Sequence, residues 1–580
     1  MSWFLGGIGN FNEDLFTDIQ RLAPAHLFNI FSGEMFLIAG GIPNTFKYEI
    51  NNHIINKKNW LQVGAGITRE YPKKFLSNSD WQNIVDNNFE ENVNIDGHYV
   101  LASWDNNKLI ITTDRIGLRD FYFCKDEQGN IFFSTRIDWL ARFVNTEIDF
   151  KEFGSRWLLF NQISIKSILK NITRVAGGNV LIIDRIQKKI DLKINSWLPK
   201  LSGVDYSEEN FYEDLKSLIS FPMRDNKLSL SLSGGLDSRV IFSYLVNQEG
   251  NWDAHSFGSE KHPDFIIAKR IADDFKINHV HLDSPEQSSE EFLAELREYS
   301  SATVINTAAS SLMQLGHYKL LQNSPEIIID GCPGEIWRRQ FFNRLSYFGK
   351  KFILNRDFKN IIKLITYHKA DIFNDDVNEL MLKGSEEQLK EIFEILPTPE
   401  IIGVENWIDI FAIKTRYPNY FLHEQARTDS IVLTYMPFTQ ISILENLLLM
   451  KYSLKKNARL LRKIISRNAP SLKKHPLVKG NIVHPFILTP LQTRLWSLAA
   501  KKLQRKIAED NYRALTLKKL SDVINDFANS KSILKNSHYD ERKLRNLFQS
   551  FNSNENAAYE IDWWLSLEMF NQQINLKKIK

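Results

Sequence analysis

Residues 227–239 read Lys-Leu-Ser-Leu-Ser-Leu-Ser-Gly-Gly-Leu-Asp-Ser-Arg, an apolar–polar alternation that predicts a strand and then breaks at two consecutive glycines. Val240, Ile241, Tyr244 and Leu245 follow on one helical face. A strand that passes into a helix through Ser233, Gly234, Gly235, Leu236, Asp237 and Ser238 has few architectures open to it. Two glycines let the backbone bring its N–H groups up to an anion where any Cβ would collide. Ser233 and Ser238 add hydroxyl donors, and the helix turns its positive N-terminal end to the same point. Asp237 offers one carboxylate to a magnesium ion that accompanies phosphates. The plainer alternative is a tight connection between strand and helix.

The hexapeptide resembles the pyrophosphate loop of ATP-splitting ligases. It is not the Gly-x-x-x-x-Gly-Lys-Ser/Thr loop of γ-phosphate transferases, whose lysine reaches the β and γ groups. The resemblance therefore implies cleavage between the α and β phosphates, giving AMP and pyrophosphate.

The 580 residues are enough for two to four domains. With 43% hydrophobic and 24% charged residues the chain has a globular composition, and a net charge of +4 gives no sign of a nucleic-acid partner. Two cysteines, Cys124 and Cys332, exclude a disulfide framework and cannot form a zinc site alone. No run reaches the roughly 18 to 20 apolar residues of a membrane span, and acids stand where a signal peptide has a basic start. A cytoplasmic location without a membrane partner is expected.

Short apolar runs at 35–38, 98–104, 109–113, 121–124, 131–134 and 180–183 predict a β-rich layered domain in the first 200 residues. Asp96-Gly97-His98-Tyr99-Val100-Leu101-Ala102-Ser103-Trp104-Asp105, then Asp114-Arg115-Ile116-Gly117-Leu118-Arg119-Asp120-Phe121-Tyr122, then Phe133-Ser134-Thr135 and Arg174-Val175-Ala176-Gly177-Gly178-Asn179 form a succession. It resembles the N-terminal glutaminase domain of asparagine synthetases, with Val100 and Asp120 departing at the family's alanine and proline positions. A working glutaminase of that family needs Cys at position 2, because a thiol beside a free amine is activated as a nucleophile. Ser2 stands there, and the family's glutamine-clamping Arg-Gly-Pro-Asp and Asn-Gly-Glu segments have no counterpart between Gly40 and Asp80. A degenerate domain kept as scaffold is expected, although a serine beside an amine also meets the chemical requirement.

Residues 252–282 read as strand, loop, helix, strand, and strand–helix alternation implies a parallel sheet with the nucleotide at the strands' carboxyl ends. The run resembles the adenine-contacting segment of asparagine synthetases, which singles out Phe257; a buried strand phenylalanine is the equal alternative. Another strand, 326–330, leads into Gly331-Cys332-Pro333-Gly334-Glu335, where Glu335 is placed to supply a second carboxylate to magnesium. Against the family's Ser-Gly-Glu-Gly-x-Asp-Glu, Glu335 falls on the metal-binding aspartate and Cys332 on a glutamate that assists amine attack. Arg338 and Arg339 suit a carboxylate or phosphate. Residues 458–462, Ala-Arg-Leu-Leu-Arg, resemble the family's lysine-led segment; the lysine position is Ala458, and Arg459 is the substitute cation. Residues 451–480 hold ten Lys and Arg and no acid, either a solvated face or a lid over ATP.

Taken together, the resemblance to the asparagine synthetase superfamily implies an α/β protein. An Ntn-hydrolase-like layered αββα domain (1–200) precedes a parallel-sheet α/β pyrophosphate-loop ATPase domain of the adenine nucleotide α-hydrolase type (205–480) and a helical C-terminal part (481–580). It implies ATP and magnesium, with ATP contacts at Leu232, Ser233, Gly234, Gly235, Leu236, Asp237, Ser238, Phe257, Asp330 and Gly331. Metal ligation falls to Asp237 and Glu335, and catalysis to Arg459, Glu335, Asp237 and Cys332. The implied reaction turns a carboxylate into an acyl-adenylate and then an amide. Lasso-peptide cyclases, β-lactam synthetases and enzymes acting on sugar acids are relatives with degenerate first domains. The activated carboxylate is thus a small molecule or a peptide, with a leader-peptide-binding partner in the latter case; a homodimer is compatible with either. A tRNA-modifying adenylase and a non-catalytic ATP-binding scaffold are the other classes.

Overall fold

The computed structural model describes the chain except residues 1, 24, 43, 52–56, 88–93, 284–285, 323, 325, 480–481, 503–510 and 580. Twelve strands build the first part: β1 (Trp3–Ile8), β2 (Phe28–Ser32), β3 (Met35–Gly40), β4 (Phe46–Glu49), β5 (Asn59–Thr68), β6 (Ile95–Trp104), β7 (Lys108–Thr113), β8 (Tyr122–Lys125), β9 (Ile131–Ser134), β10 (Ile172–Arg174), β11 (Val180–Asp184) and β12 (Lys189–Lys193). They form two antiparallel six-stranded sheets, ordered β10-β8-β9-β1-β3-β2 and β12-β11-β7-β6-β5-β4. Alternation decides which side chains go where. Phe4, Ile8, Leu37 and Phe133 of the first sheet meet Leu61, Val63, Val100, Ala102 and Ile111 of the second in a core between them. The outer face of the second sheet, Trp60, Tyr99, Leu101 and Ile110, packs on Trp81 and Val85 of the helix Asn78–Asp86. Trp3, Leu5 and Phe36 on the outer face of the first lie against Ile19 of the helix Glu13–Leu22. The layered αββα expectation is met.

The predicted runs lie in strands except Phe121, one residue ahead of β8, whereas β1, β2, β4, β5, β10 and β12 were not foreseen; in β5, Gly64 and Gly66 interrupt the apolar pattern. The glycines of this pair of strands have packing causes, Gly66 lying where a Cβ would stand 2.5 Å from Trp81. Gly64 and Gly97 adopt φ of +96° and +113°, and a Cβ on Gly97 would stand 2.1 Å from the Ala65 carbonyl oxygen across the β5–β6 ladder.

A five-stranded parallel sheet follows, made of β13 (Leu228–Ser231), β14 (Trp252–Phe257), β15 (His279–Leu282), β16 (Ile327–Ile329) and β17 (Thr434–Tyr435) in the order β15-β14-β13-β16-β17. With the helices Asp237–Leu245 and Pro263–Phe275 packed on it, this is the expected strand–helix alternation. A short hairpin, β18 (Leu477–Lys479) and β19 (Ile482–His484), completes the strands among the described residues. The C-terminal helices do not stand apart: Trp564, Leu565 and Phe570 of the helix Glu555–Ile574 share one core with Trp139 and Leu140. That helix is apolar on most of its circumference, as a helix buried on several sides must be.

A polar seam joins the antiparallel layers to the parallel-sheet part. Asp429 Oδ2 is 2.8 Å from His98 Nε2 and also accepts from Arg119, whose other nitrogen donates to the Ser2 carbonyl at 3.3 Å. Arg174 pairs with Asp120 at 2.8 Å and donates to Asn419 and the Pro418 carbonyl. Asp120, the departure from the family's proline, is therefore half of a buried ion pair.

Gly97→Ala is expected to destabilise the protein by about 2 to 3 kcal/mol, since it adds a backbone clash to a left-handed φ. Urea unfolding checks this, and an unchanged midpoint would contradict the packing argument.

Candidate active site

At the carboxyl ends of β13 and β16 lies a cavity of about 560 Å³ lined by Ser233, Gly235, Leu236, Asp237, Ser238, Asp330, Gly331, Cys332 and Glu335. The loop 232–236 is held by its own hydroxyls: Ser238 Oγ accepts from the Ser233 N–H at 3.2 Å, and Ser233 Oγ accepts from the Gly235 N–H at 3.1 Å. Leu232 is buried, its N–H donating to the His255 carbonyl and its carbonyl accepting from Ser256 Oγ. The Gly234 N–H donates to Asp264 Oδ1 at 2.9 Å. A side-chain carboxylate thus already occupies one of the loop's backbone N–H donors. Val478 of the hairpin crosses over the same glycine, donating its N–H to the Gly234 carbonyl at 2.9 Å, and a Cβ on Gly234 would meet Val478 at 2.3 Å.

The loop after β16 closes on the helix start. A Cβ on Gly334 would stand 2.3 Å from Asp237 Cγ, and one on Gly331 2.6 Å from the Ser238 nitrogen. This contact brings the second carboxylate in: Arg338 Nη2 lies 2.8 Å from Asp237 Oδ2 and 3.2 Å from Glu335 Oε1. Burial is the first cause that raises the Asp237 pKa, and Glu335 and Asp330 add to it while Arg338 opposes them. Asp237 Oδ1 and Glu335 Oε2 are buried and hydrogen-bond to nothing. Among the described residues no three metal-ligating side chains form a ready cage. Two carboxylates with an oxygen each to give fit a magnesium ion that takes its remaining ligands from phosphate and water.

Two expected residues fall elsewhere. Arg459 opens the helix Arg459–Asn468, is exposed and does not line the cavity; three residues on, Arg462 does. Arg462 donates to the Leu488 carbonyl at 3.0 Å, and to that of Phe486. Phe257 stacks on His317 with centroids 5.6 Å apart and lies outside the cavity lining. Arg339 turns away to Asp409 at 3.1 Å, so of the arginine pair only Arg338 serves the site. Ala458 and Asn457 line the cavity in left-handed conformation, φ +56° and +60°. Cys332 lines it half-buried, its N–H donating to Asp330 Oδ1 at 2.7 Å. Arg462, Lys479, His484 and Asp264 also line it and were missed as site residues; the basic run 451–480 was the available signal for the first two. The same run also builds structure. Lys455 is buried against Asp409 at 3.3 Å, and burial brings its pKa down to about 8.

Ser2 lies apart, fully buried, with its hydroxyl bonded to Thr45 and 2.4 Å from where a Cβ on Gly41 would be. The motif around Asp114 has a structural cause. Its carboxylate accepts the N–H groups of Ile116, Gly117, Leu118 and Arg119, and burial lifts its pKa to about 6. Gly117 and Gly177 pack so closely that a Cβ on Gly177 would stand 2.3 Å from the Gly117 nitrogen.

The asparagine synthase family profile matches residues 221–322, which carry β13, the loop 232–236, β14 and β15. Over residues 221–322 the chain is similar to asparagine synthases. Among curated proteins no match is found. Solved structures with similarity include the glutamine phosphoribosylpyrophosphate amidotransferase from B. subtilis complexed with ADP and GMP (9% identity, 57% of this chain and 82% of that one, TM-score 0.21). Another is described as the allosteric regulatory enzyme of purine biosynthesis (9% identity, 59% and 71%, TM-score 0.19). At these TM-scores neither likeness bears on the reading. Among the described residues no helix is long and apolar enough to cross a membrane.

Asp264→Ala is expected to free the Gly234 N–H and tighten magnesium-pyrophosphate binding several-fold, because one anion no longer has to displace another. Calorimetric titration measures it; weaker binding would mean that Asp264 supports the loop rather than occupying its anion position.

Proposed function

We propose that the chain is an ATP-dependent amide-forming ligase of the asparagine synthase type. The observation that carries this is the convergence of Asp237 and Glu335, each with an unpartnered oxygen, beside the Ser-Gly-Gly loop at the carboxyl ends of a parallel sheet. In this reading a carboxylate oxygen of the substrate attacks the α-phosphorus of ATP, and the bond to the β-phosphate oxygen breaks to release pyrophosphate. An amine nitrogen then attacks the acyl carbon of the adenylate, loses a proton, and AMP departs. Magnesium supplies charge neutralisation for the departing pyrophosphate.

The chain's own residues do the rest. Gly234, Gly235, Ser233 and Ser238 would orient the phosphates, Asp237 and Glu335 would hold the metal, and Arg338, paired with both carboxylates, would add positive charge beside the phosphate oxygens. Arg462 and Lys479 add positive charge where the pyrophosphate leaves. With Ala458 at the family's lysine position, proton transfer falls to another group; Lys479, exposed at the cavity edge, has its pKa lowered by partial desolvation and by Arg338, the direction that suits a lysine that gives and takes a proton.

The buried Ser2, bonded to Thr45, supports an amine drawn from free ammonia or from the substrate rather than from glutamine. A dedicated peptide or sugar-acid substrate with its own amine belongs to the same reading.

The test is AMP and pyrophosphate release from magnesium-ATP with aspartate, adding ammonia or glutamine in separate reactions, followed by peptide and sugar-acid carboxylates. Asp237→Asn is expected to lower turnover at least 100-fold, about 2.7 kcal/mol of barrier. Arg459→Ala is expected to stay within twofold, Arg462→Ala to lose about tenfold or more, and Ser2→Ala to change nothing. Formation of ADP and phosphate, or full activity of Asp237→Asn, would overturn the proposal; glutamine-dependent product that Ser2→Ala abolishes would overturn the inactive first domain.

A further inference from the structure

A second cleft, of about 460 Å³, opens between the start of the helix Phe150–Leu158, Phe373, residues 532–539 and the helix Glu555–Ile574. It shares no residue with the phosphate-loop cavity. Glu568 lines it while only 8% exposed, and its Oε1 accepts from Gln572 at 3.0 Å. Asn536, Asn571 and Asn575 place further amides around it. The walls are aromatic. Phe150 lies 5.4 Å from Phe373 and 4.8 Å from His538, and Phe373 lies 5.6 Å from Tyr539. The Tyr539 side chain is buried, its hydroxyl beside Trp564 and Asn571. Among the described residues no Lys or Arg lines the cleft, and its second carboxylate, Glu147, pairs outside it with Lys170 at 2.7 Å.

A buried carboxyl, amide oxygens and π faces around an open space are what an ammonium group needs: acceptors for its N–H donors and rings for its charge. An anion would meet two carboxylates and no cation. We propose that this cleft binds a small organic ammonium ion, a primary alkylamine, with its head on Glu568 and its chain along Phe150, Phe373 and Tyr539. The site is independent of the ligase reading. Burial pushes the Glu568 pKa up to about 7, and Tyr539, His538 and Glu147 are the titratable groups that share the cleft with it. Binding the cation requires the ionised carboxylate, so affinity rises with pH through that value while an alkylamine stays protonated to about pH 10.

Calorimetric titration of the full chain with n-butylammonium, with n-butanol as the uncharged control, tests this. Butylammonium is expected to bind at least about tenfold tighter than butanol, to gain roughly tenfold between pH 6 and pH 8, and to release a proton at pH 6, seen as a buffer-dependent heat. Glu568→Gln is expected to erase the preference for the charged ligand. If Glu568→Gln does not fold, the butanol comparison and the proton release on the unaltered protein decide. Equal binding of butanol and butylammonium, no pH dependence, or undiminished binding to Glu568→Gln would overturn the proposal.

Discussion

Asp237 and Glu335 reach one guanidinium, that of Arg338, at 2.8 and 3.2 Å, from loops that follow neighbouring strands. Without it, two half-enclosed carboxylates would repel, and burial would favour protonating one of them. The contact that permits the arrangement is backbone: Gly331 and Gly334 let the loop after β16 lie against the first turn of the helix after β13, where any side chain would collide with Asp237 or Ser238. The loop glycines, the carboxylates and the arginine thus form one unit.

Around this unit the chain adds covers of different kinds. The hairpin β18–β19 ties its Val478 N–H to the Gly234 carbonyl, and Arg239, fully buried, donates to the carbonyls of Gly234, His475 and Pro476. These bonds fix the basic run to the loop that it faces. On the far side, Asp429, Arg119 and His98 fasten the antiparallel layers to the helix that carries Asp429 in its cap. The N-terminal domain's motif residues are engaged in holding turns and this seam, which gives a physical reason for their presence in a domain whose Ser2 is sealed.

Much of this was legible in the sequence wherever the cause is local. The Ser-Gly-Gly turn, the alternation of β6, β7 and β11, and the glycine-bearing loop at 331–335 follow from steric need and period. Arg459 misled because a residue count along a helix carries no information about which way the helix faces: three positions separate an exposed arginine from one that lines the cavity. β5 was hidden by Gly64 and Gly66, whose causes are the His98 carbonyl across the ladder for the first and the Trp81 and Leu76 side chains on the outer face for the second. The pairing of Arg338 with Asp237 joins residues 101 positions apart, and the engagement of Asp264 with Gly234 joins a loop to the first turn of the helix Pro263–Phe275; neither leaves a periodic trace.

The most direct measurement is equilibrium binding of magnesium-ATP to the unaltered chain and to Asp237→Asn, with pyrophosphate as competitor. The account predicts that the unaltered chain binds, that pyrophosphate displaces the nucleotide, and that Asp237→Asn loses the magnesium dependence together with at least tenfold in affinity. Equal binding by both proteins, or no binding by the unaltered chain, would contradict it.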